Sequence, residues 1–182
     1  MPDDFQQIKG FLGHQIAKFH LQRINGWSIV GEEVRVEGVD ARARLDMVVQ
    51  RGEGIFSPVE VKFQEYRFER YGVAFEYVLN ELGNGRQVYG VDRKGNRLKL
   101  TRPILYLWFP PSSKIVEIPF YSAVEVIVFE EVLRELKSAL GDSFIEEIAG
   151  HIKGRVEEFL RGQDCVLSES RRRDLEELFP DR

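Results

Sequence analysis

Two carboxylates and a lysine stand where the core of a β-sheet would ordinarily be apolar. In Arg44-Leu-Asp-Met-Val-Val-Gln50, Asp46 is the only acid among Leu45, Met47, Val48 and Val49. In Phe56-Ser-Pro-Val-Glu-Val-Lys-Phe63 a period of two puts Val59, Val61 and Phe63 on one face and Glu60, Lys62 and Gln64 on the other. The turn Arg51-Gly-Glu-Gly54 between the runs can bring Asp46 back beside Glu60. Burying such charges costs several kcal/mol each unless they pair or hold a cation. A carboxylate pair with an ammonium and an amide on the same strand face is therefore expected to do chemistry.

The elements that must position these groups follow in order. Phe5, Ile8, Leu12, Ile16 and Phe19 recur at helical spacing and predict a helix from about Asp3 to Arg23, stopped by Asn25-Gly26. On its wheel Gln15 falls near the middle of the apolar face and His14 beyond the edge. Trp27 to Glu37 reads as a first strand, bulged near Gly31-Glu32-Glu33. Glu32, Glu33 and Glu37 are either a solvated strand face or spare ligands. Gly38-Val-Asp40 turns into the Asp46 strand, on which Arg42 and Arg44 share the Asp46 face and could meet phosphate.

After Gln64 the period changes to helical through Phe68, Tyr71, Phe75, Val78, Leu79 and Leu82, with Gly83-Asn-Gly85 as the stop. Arg86 to Thr101 reads as a hairpin around Asp92-Arg-Lys-Gly-Asn96. Its charge is one-sided: Arg86, Arg93, Lys94, Arg97, Lys99 and the following Arg102 stand against Asp92 alone. This is either a solvated turn or a phosphate-gripping arm. Ile104-Leu-Tyr-Leu-Trp-Phe109 predicts a strand, Pro110-Pro-Ser-Ser113 a loop, and Lys114 to Ile118 a further short strand. Ser122-Ala-Val-Glu125 and Ser143-Phe-Ile-Glu146 resemble capping boxes that would open two helices, separated at Gly141. Arg171-Arg-Arg173 precedes a last amphipathic piece, Leu175 to Phe179, and His151 reads as a structural or surface histidine.

Asp46 followed by Glu60-Val-Lys62, on two β-rich runs leading into a helix, resembles the PD-(D/E)XK nuclease superfamily. This is the restriction-endonuclease-like fold of restriction enzymes, Holliday junction resolvases and repair nucleases. Asp46 matches the first motif acid, with Leu45 in place of the motif's proline, and Glu60-Val-Lys62 matches the E-x-K element. The resemblance covers roughly Asp3 to Phe109. It implies an α/β fold with an αβββαβ core, a mixed central sheet flanked by helices. Residues 1–121 would be this domain, and 122–182 a C-terminal helical extension packed on it as a packing or dimerisation layer, so that a homodimer is allowed. It implies Mg²⁺ (or Mn²⁺), a hard cation preferring oxygen, held by Asp46, Glu60 and the Val61 carbonyl. Lys62 would orient or activate water, and Gln64 would bond water or phosphate. In resolvase-like members a helix glutamate completes the site within a pattern that Gly13-His14-Gln15 resembles without the glutamate, so either His14 or Gln15 could contribute. The implied substrate is nucleic acid, DNA in the first place, with RNA a weaker option. Arg42, Arg44, Arg86, Arg93, Lys94, Arg97 and Lys99 are the expected phosphate contacts. The other reading is a catalytically silent member of the fold, a nucleic-acid-binding or assembly module.

Composition is compatible with both. With 182 residues, 43% hydrophobic and 31% charged, the chain is long enough for a real core. No run approaches the length of a membrane span and no signal peptide pattern opens it, so a cytoplasmic protein with no membrane partner is expected. A single cysteine, Cys165, excludes an internal disulfide framework and a multi-cysteine zinc site. The formal charge of −4 is uneven: 17 basic residues face 15 acidic ones up to position 124, and 9 face 15 beyond it. The first part thus remains a plausible phosphate-binding body.

Overall fold

A computed structural model describes residues 4–62, 71–107 and 121–162. Its elements run α1 (Asp4–Arg23), β1 (Ser28–Val36), β2 (Arg44–Gly52), β3 (Ile55–Lys62), α2 (Val73–Gly83), β4 (Val88–Val91), β5 (Arg97–Leu100), β6 (Ile104–Leu107), β7 (Glu125–Val128), α3 (Phe129–Leu140) and α4 (Phe144–Gly162). The chain is thus a mixed α/β protein. No described helix is long and apolar enough to cross a membrane.

The first three strands form an antiparallel meander. β1 and β2 pair with an irregularity between Ile29 and Gly31, and Glu33 beyond it adopts a φ of +52°. The bulge expected near Gly31-Glu32-Glu33 is therefore present. β2 and β3 pair with Met47 opposite Val59 and Val48 opposite Pro58. On its other edge β3 meets β5 at Phe56↔Leu100 and then β6, in parallel, from Val59↔Ile104 to Lys62↔Leu107. Pro58 lies where β3 exchanges β5 for β6, so its missing N–H falls in the gap between partners.

The expected αβββαβ order of a mixed sheet meets an added closure. The β4–β5 hairpin pairs with β1 at Arg35↔Val91 and Val36↔Gly90, and with β3 at Phe56↔Leu100. The sequence of partners β2–β1–β4–β5–β3–β2 therefore closes on itself as a barrel, with β6 and β7 continuing outward from β3. One core cluster joins Val34, Leu45, Val48 and Leu100 to Phe75, Val78 and Leu79 of α2. The other joins Met47, Val49, Val59, Val61 and Ile104 to Ala17 and Leu21 of α1 and to Val132 and Leu136 of α3.

Several boundaries differ from expectation. Tyr71 is buried but precedes the helix; α2 starts after Gly72, whose φ of −65° and ψ of 151° are extended. Ser122-Ala-Val-Glu125 does not open a helix: Glu125–Val128 is a strand parallel to β6. Three consecutive β-branched residues, Val126, Ile127 and Val128, favour the pleated surface. The helix starts at Phe129, and the Val128 amide donates to Glu131 Oε2 at 3.2 Å. The expected helical extension therefore begins by adding a strand to the sheet. At the second box α4 does open directly after Ser143, whose hydroxyl lies 2.9 Å from Leu140 O and 3.2 Å from Glu147 Oε1 and has one proton for the two. The strand expected at Lys114–Ile118, the piece at Leu175–Phe179 and Cys165 lie outside the described residues.

Candidate active site

The β2–β3 pairing ends at Met47↔Val59, which leaves Asp46 and Glu60 as the next residues on the two strands. There the Asp46 side chain takes over the bonding: its Oδ2 accepts the Val61 amide at 2.8 Å. The N–H and C=O of a strand residue leave by the same edge, so the Val61 carbonyl also faces the β2 side. Lys62 Nζ lies 2.7 Å from Glu60 Oε1, and the same oxygen accepts the Gly72 amide at 2.9 Å.

Glu60 is the electrostatic centre of this group. It is 2% exposed. Burial pushes its carboxyl above the usual glutamate range and the Asp46 charge pushes further, while Lys62 and the Gly72 amide pull it back. Gly72 lets the backbone come close: an added Cβ there would stand 2.7 Å from Glu60 Oε1, so a larger residue must displace the carboxylate. The first turn of α2 thus begins against the carboxylate, where the positive end of the helix dipole favours negative charge.

From the other side comes α1. His14 Nε2 is 3.6 Å from Asp46 Oδ2, and its side chain is half-exposed. Gln15 is 5% exposed and, among the described residues, its Oε1 has no hydrogen-bond partner. Both line an open cleft of about 680 Å³ with Gly10, Phe11, Glu32, Glu33, Arg42, Arg44, Leu45 and Asp46. Arg42 and Arg44, expected to meet phosphate, are thus placed beside Asp46. Glu60 and Lys62 do not line this cleft; Asp46 links it to them.

Whether these residues suit a hard divalent cation is decided by their donor atoms. Among the described residues no three of His, Cys, Asp and Glu gather as a metal cage. The oxygens at hand are Asp46 with Glu60 and the Val61 carbonyl edge on β2 and β3, and, in the cleft that Asp46 also lines, the buried Gln15 Oε1. A buried glutamate whose proton affinity is raised by burial and by the Asp46 charge, with oxygen donors nearby, fits such an ion. Of the two candidates on α1, Gln15 supplies the orphaned oxygen, whereas His14 stands beside Asp46.

The hairpin cations are placed differently. Arg97 donates to Glu37 through Nε at 2.7 Å and Nη2 at 2.8 Å, and its guanidinium covers the Tyr89 ring at 4.0 Å. That bond holds the Glu37 carboxyl below its usual range. Arg86 pairs with Glu81 at 3.1 Å. Two of the five cations expected to grip phosphate from the hairpin are therefore engaged within the chain, while Arg93, Lys94 and Lys99 are exposed. Asp92 holds the turn by accepting the Lys94 and Asn96 amides, both at 2.8 Å. Gln64 lies outside the described residues.

One polar constellation escapes the sequence. His20, 1% exposed, has Nδ1 2.8 Å from the Tyr106 hydroxyl and Nε2 2.8 Å from Glu135 Oε2. The Tyr106 phenol is pushed far above its ordinary value by burial, and further by the Glu125 and Glu135 charges. With Nε2–H donated to Glu135, Nδ1 accepts the hydroxyl, and α1 is pinned to β6 and α3. The only sequence signal was a histidine one residue beyond the predicted apolar stripe. No family model, no curated protein and no solved structure matches the chain.

Proposed function

We propose that the protein is a metal-dependent nuclease that hydrolyses phosphodiester bonds of nucleic acid, DNA in the first place, with a PD-(D/E)XK-type site. The observation that carries this reading is Asp46 beside Glu60, one step past Met47↔Val59 and bonded to the Val61 amide at 2.8 Å, with Lys62 at 2.7 Å from Glu60. A restriction-endonuclease-like core is supported by the order α1, an antiparallel β1–β2–β3 meander, α2, and then β6 parallel to β3. Asp46, Glu60, the Val61 carbonyl and Gln15 would hold Mg²⁺ or Mn²⁺, with His14 beside them. Such an ion supplies a water of lowered pKa and stabilises charge on phosphate oxygens.

The protein's own groups do the rest. Lys62 commits one of its three N–H donors to Glu60 and keeps two for the attacking water or a phosphate oxygen. Asp46, bonded to the Val61 amide, is fixed in direction before substrate arrives. Arg42 and Arg44, which line the cleft with Asp46, would hold phosphate there.

A second reading has its own observation. The Glu60 carboxylate is already engaged by Lys62 and Gly72, which is how an ionic cluster that only fixes strand register in a silent nuclease-like module would also be built. The test is cleavage of plasmid, linear, branched and single-stranded substrates in Mg²⁺ and Mn²⁺ by the parent and by Lys62→Ala. The nuclease reading expects cutting by the parent and a loss of about 10²-fold or more in the variant. Full activity in Lys62→Ala refutes the role of that lysine. No cutting on any substrate, together with no Mn²⁺ binding by calorimetry, selects the silent module.

A further inference from the structure

The cleft beside Asp46 is lined by charges of both signs. Arg42 and Arg44, both exposed, are its lining arginines, and Glu32 and Glu33 of the neighbouring β1 are its acids besides Asp46. Lys18 offsets Glu32 at 2.6 Å. Arg44 reaches only the main-chain oxygen of Glu33, at 3.3 Å, and among the described residues the Glu33 carboxylate has no ion-pair partner. Glu33 is also the one non-glycine residue with positive φ among those described, so a sparsely populated backbone state holds it at the cleft. In the same lining Gln15, 5% exposed, leaves Oε1 unpartnered among the described residues, an acceptor that a bound cation or an N–H donor would satisfy.

We infer that this cleft takes a single strand of nucleic acid rather than an intact duplex. The inference rests on the nuclease reading and names its substrate class. A duplex presents two phosphate backbones, and gripping both needs cations spread across the groove. Here the lining arginines, Arg42 and Arg44, come from one short segment beside the Glu33 carboxylate. An unpaired strand has one backbone for Arg42 and Arg44, whose Cα atoms are at most about 7 Å apart. Its base edges, freed from pairing, carry amino groups that donate to carboxylates. The volume, about 680 Å³, is that of a small-ligand cleft and suits a nucleotide or two.

The test is fluorescence anisotropy with a labelled single-stranded oligonucleotide and with the same oligonucleotide annealed, in Ca²⁺ across a salt series. The parent should bind the single strand about tenfold or more tighter than the duplex. Arg42→Ala with Arg44→Ala should flatten the single-strand salt slope by about 1.4, at about 0.7 for each phosphate that the pair no longer neutralises. Glu33→Gln should raise duplex affinity and so narrow the preference. Equal or tighter duplex binding by the parent, or an unchanged slope in the double variant, overturns the inference. If the alanine pair melts below the parent, the glutamine pair, which keeps the stems without the charge, carries the same comparison. The two readings fail separately. Single-strand binding by these rules without cleavage in Mg²⁺ or Mn²⁺ sinks the nuclease reading and keeps the cleft assignment; duplex cleavage without single-strand preference does the reverse.

Discussion

Glu60 is placed at a cost that a bound cation would offset. Its carboxyl is protonated more readily in the folded chain than in the unfolded one. Ionising it therefore penalises the folded state. That penalty is absent below about pH 4.5, the ordinary glutamate value, and is complete above the raised one. Glu60→Gln should accordingly melt about 2–4 °C above the parent at neutral pH without metal, for a gain of about 1 kcal/mol, while losing Mn²⁺ binding. A variant that melts lower would mean that the Lys62 pair outweighs desolvation. Gly72 offers a second residue-scale check. Its φ of −65° tolerates alanine, so Gly72→Ala should keep the helix yet displace the carboxylate and weaken Mn²⁺ by about tenfold; calorimetry giving parental affinity removes Gly72 from the site. The pairing of Asp46 with Glu60-Val-Lys62 was legible because charge inside an apolar strand pattern is expensive. Gly72 was not, since nothing in a sequence says which glycine will abut a carboxylate on a preceding strand.

Elements were legible in proportion to how much of their character is local. The β4–β5 hairpin is set by Asp92, which binds the Lys94 and Asn96 amides itself, and its turn falls where the residue types put it. β7 depends on whether Glu125–Val128 can lie against β6, a long-range contact that a local capping pattern at Ser122 misrepresents. The hairpin's one-sided charge was also only half informative, because Glu37 and Glu81, which engage Arg97 and Arg86, are supplied from outside the turn. If the remaining exposed cations contact duplex phosphate, Arg93→Ala, Lys94→Ala and Lys99→Ala together should flatten the duplex salt slope by up to about 2.7. Should the slope stay at the parental value, this element is a solvated turn. The bridge from α1 to β6 and α3 has a different expectation: Tyr106→Phe leaves His20 Nδ1 buried without a donor and should cost about 1–3 kcal/mol, read by urea titration. A change below a few tenths would mean that water replaces the hydroxyl.

Across the whole molecule, metal and fold are linked if Asp46, Glu60 and Gln15 share an ion, because strands and helix from three parts of the chain are then cross-braced. Mn²⁺ at about a hundred times its dissociation constant should raise stability by about 2.7 kcal/mol, or melting by about 5–10 °C, and the rise should vanish in Asp46→Asn. An equal rise in that variant would locate the ion elsewhere. The overall α/β class was legible from strand runs followed by helical periodicity, but barrel closure was not. It depends on the rungs Arg35↔Val91, Val36↔Gly90 and Phe56↔Leu100, and no single segment encodes these.

That last rung has a consequence in time. Phe56↔Leu100 is the pair through which β5 meets β3, braced by the Thr101 amide and hydroxyl on Phe56 O at 2.7 and 2.9 Å. β6 lies directly on β3 over four residue pairs and does not depend on that rung. The β4–β5 flap can therefore detach as a cooperative unit while the meander and β6 persist, a partial opening well below the global unfolding free energy. In native-state hydrogen exchange the amides that bond across the seams, those of Glu37, Val91 and Thr101, should share one low protection level, and those of β6 a higher one. A single common level would mean that the ring opens only when everything does.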